Sequence, residues 1–191
     1  MAGEDSSSRV SQSKIDSGGG DVAGGDIQKT YFNNQYADDS HLNHLYSQLS
    51  SEIKENLKIE DICEILEDFI ATDEDEVIGL EQKLEDGGMQ SQYGYARESK
   101  ESYVKNLTRY SMYETAQCIH AYCLSKVQSG YVSDVLPHLQ STPSGEKFRL
   151  MRKAVLDALE AKMGRNPLRL YSKEIDGMAF FLTGKCKLKW S

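Results

Sequence analysis

His41-x-x-His44 and Cys118-x-His120-x-x-Cys123 are the spacings in this chain that come nearest to metal chemistry. Imidazole and thiolate both bind zinc, but a structural site draws four such ligands from paired units. His41 and His44 can share a helical face, yet no further ligand lies near them in sequence. Cys118 and His120 are two residues apart and diverge by about 200° around a helix. The pattern favours core thiols with surface or capping histidines, and no metal or cofactor is expected.

A second candidate is the near-repeat Gly19-Gly20-Asp21-Val22-Ala23, Gly24-Gly25-Asp26-Ile27-Gln28. A glycine-rich loop can cradle phosphate, but a dinucleotide site needs a preceding strand and a following helix. Here a serine-rich polar stretch precedes the glycines and Ile27-Gln-Lys-Thr-Tyr-Phe32 follows. No lysine stands where a P-loop needs one. Two readings remain open. Gly/Ser-rich sequence is a flexible linker by default, and that reading is favoured. Alternatively Val22 and Ile27, at matched positions between glycine turns, could let copies of the segment stack by backbone pairing.

A third candidate is basic. Lys185, Lys187 and Lys189 alternate with Cys186, Leu188 and Trp190 at the end of the chain, with Arg165, Arg169 and Lys173 not far upstream. Period-two alternation predicts a half-buried terminal strand, lysines outward and Trp190 inward. Such lysines could contact phosphate or a partner; they also guard an exposed strand edge. With Trp190 turned inward no stacking platform for single strands is evident, so nucleic acid is a secondary partner class. The chain contains no Gly-x-Ser-x-Gly and no cysteine in a persuasive histidine setting. No catalytic residue is assigned and a non-enzymatic role is expected.

The elements that would position these residues are helical. Residues 1–38 form a polar, Gly/Ser-rich leader, with a short strand conceivable over 27–32. Residues 39–191 read as one mainly α domain of about six to seven helices closed by the short C-terminal strand. Ser40 can cap a helix carrying Leu42, Leu45, Tyr46, Leu49, Ile53 and Leu57 at helical spacing. A second helix spans about 60–71 with Ile62, Ile65, Leu66, Phe69 and Ile70 inward. The acidic run Asp73–Glu76 precedes a short third helix that ends at Gly87-Gly88. A long polar helix covers about 89–109, with Tyr103 and Leu107 inward. Ser111 and Glu114 read as a capping box for a helix carrying Ala116, Ile119, Cys123 and Val127, extending past Gly130 toward Leu136. Pro137 and Pro143 bracket a loop. Ser144 then caps a helix that Gly164 ends, and a last helix covers about 173–183 before Gly184.

Composition agrees with one domain plus a lean segment: 39% of the 191 residues are hydrophobic. The overall charge of −8 hides an asymmetry, since residues 145–191 hold eleven of the 22 basic residues but five of the 30 acidic ones. An acidic and a basic surface are expected, each either solvated or facing a partner. The four cysteines fit reduced thiols rather than a disulfide framework. No signal pattern opens the chain and no apolar run approaches about 18 residues. A cytoplasmic protein with no membrane partner is expected.

Asp176-Gly-Met-Ala-Phe-Phe-Leu-Thr-Gly-Lys-Cys-Lys-Leu-Lys-Trp190 resembles the closing motif of the C-terminal components of bacterial ABC-three component systems, predicted conflict (defence) modules. Ser111-Met-Tyr-Glu-Thr-Ala-Gln-Cys-Ile-His-Ala-Tyr-Cys-Leu-Ser-Lys-Val127 is similar to that family's central helix. The resemblance covers roughly 37–191. It implies a non-enzymatic helical subunit acting beside an ABC-type ATPase and a small middle component. Members often carry an effector domain ahead of this module, where this chain has the short leader. The leader would then mediate homo-oligomerisation or effector recruitment. The alternative is a stand-alone nucleic-acid-binding helical protein using the same lysines.

Overall fold

The computed structural model describes residues 39–71 and 79–191. The glycine near-repeat, the conceivable strand at 27–32 and the acidic run Asp73–Glu76 lie outside the described residues. Seven helices make up the described domain: α1 Asp39–Glu55, α2 Glu64–Ile70, α3 Leu80–Asp86, α4 Tyr93–Tyr110, α5 Glu114–Gly130, α6 over 147–163, and α7 Ser172–Gly184. Short 3-10 turns at Gln90–Gln92, Leu136–Ser141 and Ser144–Glu146 link them. No strand occurs among the described residues.

The apolar spacing of each helix decides what it buries. In α1, Leu42, Leu45 and Leu49 are buried, whereas Ile53, and Leu57 beyond the helix end, are exposed. The stripe continues past the point where α1 still has a neighbour to cover it. In α2, Leu66 and Phe69 are buried and Ile62 lies outside the helix, exposed. Met89, Ala96, Tyr103 and Leu107 carry α3–α4 into the core. The centre is α7, in which every residue from Ile175 to Thr183 is buried.

Helix α4 runs antiparallel to α7 at close range, and Gly177 permits it. A Cβ at Gly177 would lie 2.7 Å from the Ser99 carbonyl carbon and 2.8 Å from Tyr103 Cβ. Two π turns mark another close approach. The first, Tyr131–Val135, prolongs α5 as its apolar pattern predicted. The second, Arg152–Leu156, sits inside α6. They meet where Gly130 abuts Val155; a Cβ on that glycine would come 2.8 Å from Val155 Cγ1.

Two predicted caps do not form. Ser111 does not cap α5; its hydroxyl donates to Thr108 O, and the residue preceding the helix is Tyr113. The capping carboxylate comes from α1 instead. Glu52 Oε2 accepts from the Thr115 amide at 3.2 Å, and Oε1 accepts from the Thr115 hydroxyl. Ser144 likewise opens a 3-10 turn and makes no side-chain cap. A local box competes with any acceptor that packing delivers to the same amides, and here packing delivers a buried one.

The predicted C-terminal strand is also corrected. Helix α7 runs through Gly184, and Cys186 takes the left-handed conformation at φ 60°. Lys187 N donates to Leu182 O at 2.9 Å, the wrapped ending known as a Schellman motif. The remaining residues pair with no strand; Trp190 lies against the turn at Gly87 and beside Tyr131 and Phe148. Half of the expected alternation survives: Leu188 and Trp190 are buried and Lys189 is exposed, while Cys186 is half-buried. Side-chain bonds stand in for the missing ladder. Trp190 Nε1 donates to Thr183 Oγ1 at 3.0 Å, Lys147 Nζ donates to Trp190 O at 2.6 Å, and the Tyr131 hydroxyl donates to Lys189 O.

Candidate docking surface

The residues of the terminal motif are occupied with holding the domain together. Asp176 is nearly enclosed and accepts from Arg152 on Oδ1 and from the Tyr95 hydroxyl on Oδ2 at 2.5 Å. Arg152 also pairs with Glu160 and, at 2.8 Å, with Asp157. The carboxylates around Arg152 hold its guanidinium above its usual range, more than offsetting its burial. Burial first, then the bond to Asp176, push the Tyr95 phenol up. This network ties α4, α6 and α7 into one body, which suits a structural role.

The central helix likewise buries its chemistry. His120 is fully buried against Tyr103, ring centroids 5.6 Å apart, and burial pushes its imidazole down to about 3. It is a core residue, not the surface or capping histidine expected. Burial pushes the Cys118 and Cys123 thiols up to about 12. Such thiols are poor nucleophiles and poor metal ligands at neutral pH. Among the described residues no group of three or more His, Cys, Asp or Glu is placed to hold a metal ion.

The predicted basic face is divided. Lys185 lies at the end of α7 beside Lys83 and Lys100, with its ammonium 6.0 Å from the Phe181 ring centroid. Lys189 lies near Tyr131 and Arg165 is exposed in the turn after α6. Arg169, in the left-handed conformation at φ 57°, joins Lys105 and Arg109 around a cleft of about 330 Å³ that Glu174 also lines. Lys187 is half-buried where the helix end wraps. No strand among the described residues aligns the three lysines.

Sequence reasoning missed a second basic stripe. Arg97, Lys100, Lys105 and Arg109 lie along the outer half of α4. Their spacing was the available signal, obscured by the interspersed Glu98 and Glu101. Glu98 meets Lys173 at 3.4 Å and Glu101 meets Arg97 at 4.0 Å. Between this stripe and α3 runs a groove of about 570 Å³, with Leu80, Tyr93 and Val104 as its apolar lining and Arg97, Lys100 and Lys105 as cations.

Lys100 is the unusual member. Burial, then the nearby charges of Lys185 and Lys83, hold its ammonium below the usual lysine range. Lys83 already serves the end of α7, donating to Thr183 O at 3.0 Å, Gly184 O at 3.1 Å and Cys186 Sγ at 2.8 Å. Lys100 packs against the same turn, so closely that a Cβ on Gly184 would lie 2.7 Å from its Nζ.

Comparison with known proteins gives one match. The model of C-terminal domain 9 of the ABC-three component (ABC-3C) systems matches residues 79–190. That span runs from the first groove residue, through α3 to α7, to the buried Trp190. No curated protein and no solved structure matches the chain.

Proposed function

The chain belongs to the C-terminal domain 9 family of the ABC-three component systems, and from that premise we propose that it is a non-enzymatic interaction subunit of such a system. Its companions on this reading are an ABC-type ATPase and a small middle component. The observation that carries the proposal is the family match over α3–α7. The burial of the motif's polar residues in structural bonds supports it, since it leaves their side chains holding the domain together rather than meeting substrate. The glycine-rich leader is assigned to oligomerisation or effector recruitment, in bacterial cytoplasm and in a defence role. No helix among the described residues is long and apolar enough to cross a membrane.

The test is affinity purification of the tagged chain from its native host at moderate salt, with mass spectrometry of what is retained. An ATPase and a small companion encoded by neighbouring genes are the expected result. Recovery of nucleic acid without an ATPase, lost steeply as salt rises, would replace this reading with the stand-alone nucleic-acid binder. Deleting residues 1–38 should leave the ATPase bound while lowering the oligomeric state or releasing an effector.

A further inference from the structure

We propose that the cleft between the C-terminal half of α4 and the turn ahead of α7 binds a small phosphate monoester that carries a hydroxyl. Its phosphate sits on Arg109, Arg169 and Lys105, and its hydroxyl donates to Asn106. The inference goes beyond the subunit reading and does not depend on it.

The first observation is an unpaired acceptor. Asn106 lines this cleft of about 330 Å³ and is 8% exposed. Its Nδ2 donates to Leu168 O at 2.6 Å, so the other side-chain atom is the carbonyl oxygen. That Oδ1 is buried, and no donor reaches it among the described residues. Ser102, in the same cleft, donates to Glu174 at 2.7 Å instead. A buried carbonyl oxygen without a donor is costly, and folds seldom leave one unless something bound supplies it.

The second observation is three cations on the same cleft. Lys105 and Arg109 are four residues apart on α4 and so share a helical face. Arg169 joins them from the turn ahead of α7, and that turn is tightly built. Asn166 Oδ1 accepts from the Leu170 amide at 2.9 Å, and its Nδ2 donates to Leu170 O at 3.0 Å. Leu168 and Leu170 are buried on either side. Arg169 between them stays exposed, in a left-handed conformation that arginine rarely adopts. Among the described residues none of the three cations is in an ion pair. Glu174 is the carboxylate of the cleft; it accepts from Ser102 and, at 3.2 Å, from the Tyr171 amide where α7 begins.

The ligand follows from these donors and acceptors. Two guanidinium groups and an ammonium suit the several oxygens of a phosphate better than one carboxylate. Asn106 Oδ1 requires a donor, which a bare anion lacks and a hydroxyl beside the phosphate provides. A cleft of this volume holds one phosphate and one ring, not a longer chain. A nucleic-acid strand laid along the exposed cations of α4 would meet Lys105 and Arg109 without reaching the buried Asn106.

The experiment titrates the full chain calorimetrically, at one moderate salt concentration, with methyl phosphate, glycerol phosphate, ribose phosphate and adenosine monophosphate. Saturable one-to-one binding of a hydroxyl-bearing monoester is expected, at least tenfold tighter than methyl phosphate. Arg109→Gln and Arg169→Gly should each weaken it at least tenfold. Arg169→Gly keeps the fold, because glycine takes the left-handed conformation without strain, and a thermal melt checks this. Lys153→Gln, on the exposed side of α6, should leave binding unchanged. In nuclear magnetic resonance spectra the Asn106 side-chain amide should shift with the hydroxyl-bearing ligand and stay in place with methyl phosphate. The site is overturned if no hydroxyl-bearing monoester binds, or if both arginine variants bind it as the parent does. Equal affinity for methyl phosphate, with Asn106 unmoved, would overturn the role of Asn106 and with it the ligand class. A single-stranded oligonucleotide that binds where the monoesters do not, and that Arg109→Gln weakens, would put a nucleic-acid surface in place of the site. The subunit reading stands or falls separately, on the affinity purification.

Discussion

Gly177 of α7 rests directly on the backbone of Ser99 in α4: there is no room between them for a methyl group. The contact sets how near α4 and α7 can come. On it depend the Tyr103–Phe181 ring contact, centroids 5.4 Å apart, and the Tyr95–Asp176 bond.

Gly177→Ala is therefore expected to be severe. The obstruction is backbone, which cannot rotate away as a side chain can. We expect a loss of at least about 2 kcal/mol, read from the midpoint of urea unfolding. Gly94→Ala is the control: a Cβ there meets nothing within 4 Å, and alanine should match or exceed the parent, since glycine inside a helix is costly.

Removing Asp176 strands Arg152 with one fewer carboxylate and takes away the acceptor of the Tyr95 hydroxyl. Arg152 is partly open to solvent, so the cost falls below that of a fully buried pair: about 2 kcal/mol for Asp176→Ala. A double-mutant cycle with Tyr95→Phe should give a coupling of about 1 kcal/mol. Additive effects would mean that the two residues act independently.

His120 predicts a pH dependence. Its folded value near 3 lies below the ordinary imidazole value of 6.5, because burial disfavours the cation. The unfolded chain thus binds the proton more readily. The contribution of neutral His120 to stability is complete above about pH 6.5 and is lost as pH falls from there toward 3. The slope from this group is at most about 1.4 kcal/mol per pH unit. Unfolding curves between pH 7.5 and pH 4.5 measure it, and His120→Phe should flatten them.

Lys83 and Lys100 should separate although both stand at the end of α7. Lys83→Met removes donors to two terminal carbonyls and should cost about 1 kcal/mol. Lys100→Met keeps the aliphatic stem and removes only a repelled charge. Its melting temperature should hold or rise slightly, a gain of no more than about 0.5 kcal/mol after solvent screening. A loss equal to that of Lys83→Met would show that Lys100 also serves the helix end.

Trp190 is 1% exposed, and its indole N–H is bonded inside the domain. Trp190→Ala should cost about 3–5 kcal/mol, comparable to a central core truncation. A frayed C-terminus would lose almost nothing, so one melting curve distinguishes the two.

The sequence alone determined the helical class, the helix stripes through Leu42, Leu45 and Leu49 or Ile119, Cys123 and Val127, and the inward turn of Trp190. These follow from periodicity, which is a property of neighbours along the chain. The family could be recognised for a related reason, since its closing motif is a contiguous run that the domain needs in order to pack. Tertiary structure decided what depends on residues distant in sequence. Glu52 rather than Ser111 caps α5, because packing delivers a buried carboxylate to Thr115. Lys185, Lys187 and Lys189 are not aligned by a strand, since a strand forms only where another strand offers its edge. The charge conflict at Lys100 arises only when α3, α4 and the end of α7 bring Lys83, Lys100 and Lys185 together. No spacing along the chain encodes that meeting.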